Sequence, residues 1–167
     1  TQEDLNLVKS TVLEVVKESG TSVLNADDSE TMSVLHRARG TIILFSLDQN
    51  NQNLINHLNE QGTVVTVNNR NVIIRNSILD IVVCTLEEIP ITFDGLIDFN
   101  ISNALAAIGA LYGLNLPIEQ IRNGVMTFYP SANQNPGRMN LFDFHRYKVL
   151  VDYGHNPDSA RALARFL

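Results

Sequence analysis

The 167-residue sequence contains a single cysteine, Cys84, so no internal disulfide framework is available to it. Flanked by Ile81, Val82 and Val83, that cysteine reads as a buried strand residue rather than a nucleophile. Such usage is compatible with a reducing cytoplasm, the expected compartment. Positive charge is also scarce: 12 Lys and Arg stand against 18 Asp and Glu, giving a net charge of -6 at pH 7 and a pI near 5.1. With no basic stripe to offset this, a phosphate backbone would be repelled, and no nucleic-acid partner is expected. There is no run of about 18 apolar residues and no charged-then-apolar amino-terminal segment, so no membrane partner is expected either. Internal repeats and low-complexity tracts are missing. So is the Gly-x-x-x-x-Gly-Lys-Ser/Thr loop that cradles nucleotide phosphates, and no Gly-Lys dipeptide occurs anywhere.

What is present is enough apolar sequence, 44% of residues, to bury a core. Leu5, Val8, Val12, Val15 and Val16 recur at helical spacing over residues 3 to 18, and Gly20 is the expected stop. A short strand at Ser22 to Asn25 leads through Ala26-Asp27-Asp28 to a helix from about Ser29 to Arg37, followed by a buried strand at Thr41 to Phe45. This β-α-β rhythm predicts an α/β fold. Thr63 to Val67 and Val72 to Arg75 flank Asn68-Asn69-Arg70-Asn71, which reads as a hairpin. A further extended segment is expected from Ile78 to Phe93. From Asn100, read as a helix cap, Ile101, Leu105, Ile108, Leu111 and Tyr112 share one helical face, and Pro117 opens a second helix through about Val125. Pro130 to Gly137 carries the densest turn chemistry and is the expected linker region. The opening without methionine inside a helix, and the stop at Leu167 inside another, suggest a piece of a longer protein.

The most informative stretch follows the linker. Pro136-Gly137-Arg138 precedes an apolar strand at Tyr147 to Val151, then Asp152-Tyr153-Gly154-His155-Asn156-Pro157-Asp158. Pro157 suits the first position of a helix and Asn156 its N-cap. In open parallel sheets ligands bind outside the carboxyl ends of strands, so Asp152 is placed to face a crevice and accept from sugar hydroxyls. The bland reading is that Asp152 and Asn156 only organise a turn. Arg138 offers a planar fork of donors suited to a phosphate, against the plain reading of a surface arginine. Asn103, in the first turn of the alanine-rich helix, pairs a donor with an acceptor as adenine's N6 and N7 edge requires, or is simply a satisfied polar residue. Asp27 and Asp28 form either a metal pair or a capped strand-to-helix turn.

Gly137-Arg138 followed by Val-Asp-Tyr-Gly-His-Asn-Pro-Asp (Val151 to Asp158) resembles the start of the carboxyl-terminal domain of the Mur ligase superfamily. Pro130-Ser131, Gln134, Pro136-Gly137-Arg138 and Asn140 to Asp143 most resemble its cyanophycin synthetase branch; Leu24 to Asp28 and Asn100 to Ala107 fit the same superfamily. The resemblance implies the later half of a central ATP-binding domain over residues 1-130, mostly parallel sheet with helices and a β-hairpin region. A linker at 131-137 and the beginning of a Rossmann-like terminal domain at 138-167 would follow, with the phosphate loop before Thr1. It implies ATP and Mg²⁺ as cofactors, with Arg138 reaching the phosphates when the terminal domain closes. Asp152 would take the ribose, Asn103 the adenine with Asn100 beside it, and His155 would line the pocket. Lys9 corresponds to a lysine that, when carbamylated, binds the metal. The implied activity is ATP-dependent amide ligation through an acyl phosphate, joining arginine to aspartate side chains of a poly-aspartate backbone, in a homo-oligomeric full-length enzyme. A peptidoglycan-precursor or folylpolyglutamate ligase, or a noncatalytic ligase-like module, is the alternative.

Overall fold

The computed structural model describes residue 8 and residues 10–166. Residues 10–14 are helical, and five strands form one sheet in sequence order: β1 (Thr21–Asn25), β2 (Thr41–Ser46), β3 (Thr63–Asn68), β4 (Asn71–Arg75) and β5 (Asp80–Thr85). The first three run parallel, with Leu24 beside Leu44 and Leu44 beside Val64; β4 and β5 continue as an antiparallel meander. Parallel strands need crossovers that cover the sheet, so their side chains are buried on both faces and read as unbroken apolar runs. The structure shows why. Ile43, Phe45, Val65 and Ile74 point into one core, while Leu24, Leu44 and Val64 point into another. The expected α/β arrangement with a hairpin is the one observed.

The larger core is closed by α3 (Asp98–Gly113) through Ile101, Ala104, Leu105 and Ile108, and by α4 (Ile118–Met126) through Ile121 and Val125. Helix α3 lies close on the strands because Gly109 sits over them: a Cβ there would come within 3.0 Å of Val23 Cγ1. The opposite core is closed by Leu54 of α2 (Gln52–Asn59), with Met32 of α1 (Ser29–Ser33) packed against it.

The hairpin between β3 and β4 turns on Asn69 and Arg70, both at positive φ (47° and 67°), as a two-residue primed turn demands. Arg70 holds that conformation through its side chain, which pairs with Glu87 and donates to the Asp94 carbonyl. At the outer edge of the sheet, β5 carries a bulge, since the register with β4 slips between Val72 and Ile73. There the guanidinium of Arg122, from α4, donates to the carbonyls of Val82 and Val83.

Several expectations need correction. The helix expected over residues 3 to 18 with Gly20 as its stop ends at residue 14, and Val12 and Val15, read at its apolar spacing, are exposed. Helix α2 is not anticipated by the sequence reading. The helix expected at Ser29 to Arg37 breaks after Ser33 into a 3₁₀ turn at Leu35–Arg37. The extended segment expected from Ile78 to Phe93 is strand only over Asp80–Thr85, then two 3₁₀ turns, Leu86–Glu88 and Pro90–Thr92. Asn100 is not a cap: α3 begins at Asp98, and the Asn100 N–H already donates to the Ile97 carbonyl.

Beyond α4, β6 (Asn140–Asp143) and β7 (Lys148–Val151) form a separate antiparallel pair, followed by α5 (Pro157–Phe166). Strand β7 and α5 fall where the sequence predicts them; β6 was not foreseen.

Candidate functional site

Asp152 is the first residue after β7, and both of its carboxylate oxygens accept a backbone N–H: Oδ1 from Gly154 at 2.8 Å and Oδ2 from Met139 at 3.0 Å. It therefore organises its own turn and also ties that turn to the residue after Arg138. A carboxylate has roughly four acceptor positions, so two remain for hydroxyl groups. Asn156 caps α5 as expected, its Oδ1 accepting from the Ser159 N–H and hydroxyl, both at 2.8 Å.

The segment carrying Arg138 is fixed from within. Gly137 and Met139 on either side of it have positive φ (71° and 51°), and the Met139 side chain is buried. The buried amide of Asn140 binds the whole stretch. Its Oδ1 accepts from the Gly137 N–H at 2.7 Å, and its Nδ2 faces the carbonyls of Pro130 (3.1 Å), Asn135 (3.0 Å) and Arg138 (3.0 Å). The Arg138 side chain itself is exposed and stands over the Tyr153 ring, 5.1 Å from its centroid.

On the other side lie the first two turns of α3, since the helix starts at Asp98 and Asn103 falls in its second turn rather than the first. Asn100 is buried, and its Nδ2 donates to the Ile91 carbonyl at 2.7 Å; this turns its Oδ1 toward Asn103, whose Nδ2 lies 3.4 Å away. That contact is at the long limit for a hydrogen bond, so it orients the Asn103 amide without consuming it. Asn100 supports Asn103 from below.

These groups line one cleft of about 690 Å³: Asn100 and Asn103 on the α3 side, Arg138, Asp152 and His155 on the other, with Ile91, Met139 and Leu163 as apolar walls. Phe166 at the end of α5 meets Phe93, ahead of α3, edge to face with ring centroids 5.3 Å apart. His155 Nδ1 lies 3.3 Å from the Tyr153 carbonyl. Lys9 lies outside the described residues. Asn140 and Tyr153 were missed as site-building residues; the sequence signal for them was their place within the two stretches that carry the family resemblance, Asn140 to Asp143 and Val151 to Asp158.

The Asp27-Asp28 pair is a capped turn. Asp28 accepts from the Glu30 N–H, and Asp27 accepts from the Ser46 hydroxyl, the Leu47 N–H and the Asn51 amide. Among the described residues no cluster of three or more His, Cys, Asp or Glu could hold a metal ion, and no helix is long and apolar enough to cross a membrane. Cys84 is buried, and desolvation pushes its thiol up to about 11.

Residues 1–111 match the model of the Mur ligase middle domain. The chain belongs to that family. Along its entire length this Mur ligase chain is 40% identical to cyanophycin synthetase of Synechocystis sp. and 38% identical to that of Crocosphaera subtropica, in each case covering 19% of the relative. It is 29% identical to UDP-N-acetylmuramate--L-alanine ligase of Acetivibrio thermocellus, over 96% of this chain and 32% of the relative. It thus spans about a fifth of the length of the cyanophycin synthetases it matches. The Mur ligase model covers Asn100 and Asn103; Arg138, Asp152 and His155 lie beyond it but within the stretch shared with those synthetases.

Proposed function

We propose that this chain is the nucleotide-receiving part of an ATP-dependent amide ligase of the cyanophycin synthetase kind. The observation that carries the reading is the convergence of Asn103, from α3, with Arg138, Asp152 and His155, from the segment beyond α4, on one cleft. Its volume of about 690 Å³ lies within the range of roughly 300–1,000 Å³ usual for small-molecule sites. The donor set also fits a nucleoside phosphate: an amide pair for the base, a carboxylate with spare acceptor positions for the sugar, and a guanidinium for the phosphates.

In this reading residues 1-130 belong to the central domain, 131-137 link, and 138-167 begin the terminal domain. ATP, when bound, supplies the phosphoryl group that activates a carboxylate for amide formation. Asn103 offers its amide oxygen and N–H to the purine edge, steadied by Asn100. Asp152 accepts from the ribose hydroxyls while its two backbone contacts hold it in place. Arg138 donates two parallel N–H groups to anionic phosphate oxygens, and such charge-assisted forks act most strongly where negative charge develops. His155 borders the sugar side, and Ile91, Met139 and Leu163 limit water. The implied Mg²⁺ finds no ligand cluster among the described residues, so no step is routed through it. The acceptor pair, arginine and a poly-aspartate backbone, rests on the higher identity to the cyanophycin synthetases.

Arg138→Ala in the full-length protein is expected to lower kcat for ligation by roughly 10²- to 10³-fold, the range for removing one charge-stabilising donor, while changing ATP affinity far less. Unchanged turnover would remove Arg138 from the chemistry.

A further inference from the structure

The backbone around Arg138 is held by Asn140, which donates to the Arg138 carbonyl, and by Asp152, which accepts from the Met139 N–H, but neither contact restrains the long, rotamer-rich Arg138 side chain. Among the described residues no carboxylate lies within ion-pair distance of it. The contact made by the guanidinium is the Tyr153 ring, 5.1 Å from centroid to Cζ. Tyr153 itself does not line the cleft, although its neighbours Asp152 and Gly154 do.

A carboxylate partner would occupy the N–H edge of the guanidinium and neutralise its charge. An aromatic face attracts the cation through the ring quadrupole and leaves the in-plane donors unspent. Building on the role proposed for Arg138, we infer that Tyr153 is a positioning residue: it holds the Arg138 guanidinium at the cleft by a cation–π contact while keeping its donor fork available to phosphate. The support is itself anchored. Asp152 accepts from the Gly154 N–H on one oxygen and from the Met139 N–H on the other, so one carboxylate fixes the backbone beside both the ring and the arginine. Tyr153 also has His155 against it, with ring centroids 5.2 Å apart, which limits rotation of the ring.

Tyr153 is 64% exposed, so its replacement leaves the folded core intact. In the full-length protein, the affinity for ADP with aluminium fluoride, a mimic of the phosphoryl group in transfer, is compared with the affinity for ADP alone. Ligation kcat and the KM for ATP are measured alongside. Cation–π contacts at exposed sites are worth about 0.5–1 kcal/mol, so Tyr153→Leu should weaken the aluminium fluoride complex and lower kcat by about two- to fivefold, leaving ADP affinity unchanged. Tyr153→Phe should behave as wild type, and Tyr153→Leu should add nothing in an Arg138→Ala background. Equal weakening of ADP, failure of Phe to rescue, or an undiminished effect without Arg138 would each overturn the inference. A large Arg138→Ala defect with a silent Tyr153→Leu would sink it alone; a silent Arg138→Ala would sink the underlying reading with it.

Discussion

Replacing Asn140 with alanine tests how the arginine segment is held. The Asn140 side chain is buried and engages four backbone groups: it accepts from the Gly137 N–H and confronts the carbonyls of Pro130, Asn135 and Arg138 with two amide protons. Each such bond contributes about 1 kcal/mol net, and a buried backbone group left unpaired costs about 1–3 kcal/mol. Some of the exposed carbonyls will recover water, so Asn140→Ala should destabilise the segment from Pro130 to Asn140 by about 2–4 kcal/mol. That energy raises the population of the locally open segment roughly 30- to 1,000-fold, since about 1.4 kcal/mol is a factor of ten. Arg138 supplies the readout: limited trypsin digestion of the native full-length protein, followed by mass analysis, reports cleavage at the Arg138–Met139 bond. At low trypsin concentration, where reclosing outpaces cleavage, the rate follows the open population. Asn140→Asp should be worse than alanine, because it sets a carboxylate against three carbonyl oxygens. Cleavage of both variants at the wild-type rate would refute the argument that this amide is the fastening.

Leu105, fully buried between α3 and the sheet, should cost about 2–5 kcal/mol when cut back to alanine, seen as a lowered urea midpoint with unchanged slope. Gly113→Ala should destabilise despite the better helix propensity of alanine, because the new Cβ would meet Thr21 Cγ2 at 2.6 Å; an increase in melting temperature would contradict the packing. Burial raises the Cys84 thiol to about 11 from an ordinary value of 9.0, so its stability contribution is complete below about pH 9 and is lost as pH rises through 11. Cys84→Ala should remove that alkaline loss, and iodoacetamide should label native Cys84 only upon unfolding. The hydrogen bond from Arg75 lowers the Asp80 carboxyl, so Asp80→Asn should weaken the protein slightly at neutral pH, the difference vanishing as pH falls through the depressed value in acid unfolding curves.

The parallel strands, the Asn-rich hairpin and α3 were legible because each carries a strong local signal: unbroken β-branched runs, a turn made of residues that tolerate positive φ, and a long apolar face. Helix α2 was not, since Gln52 to Asn59 includes three asparagines and a histidine, residues of weak helix preference. Its only marks were the Asn51 cap and the i, i+4 pair of Leu54 and Leu58, and burial of Leu54 decides the matter. Asn100 looked like a cap because asparagine favours that position, but a carbonyl nine residues earlier, at Ile91, captured its amide. Such long-range partners leave no local trace. Arg138, Asp152 and Asn103 could be named from type and spacing and His155 from the family resemblance, whereas the cleft they share depends on how the 130–140 segment folds back, which rests on Asn140.

A terminal strand with unpaired carbonyls is a template on which another chain can lay its own backbone and propagate fibrils. The bulge in β5 spoils the regular spacing such a visitor would need, and Arg122 occupies the oxygens of Val82 and Val83 with a charged group. This margin therefore ends the sheet by design of its sequence, and a synthetic neighbour seeking to extend it would have to displace a cation first.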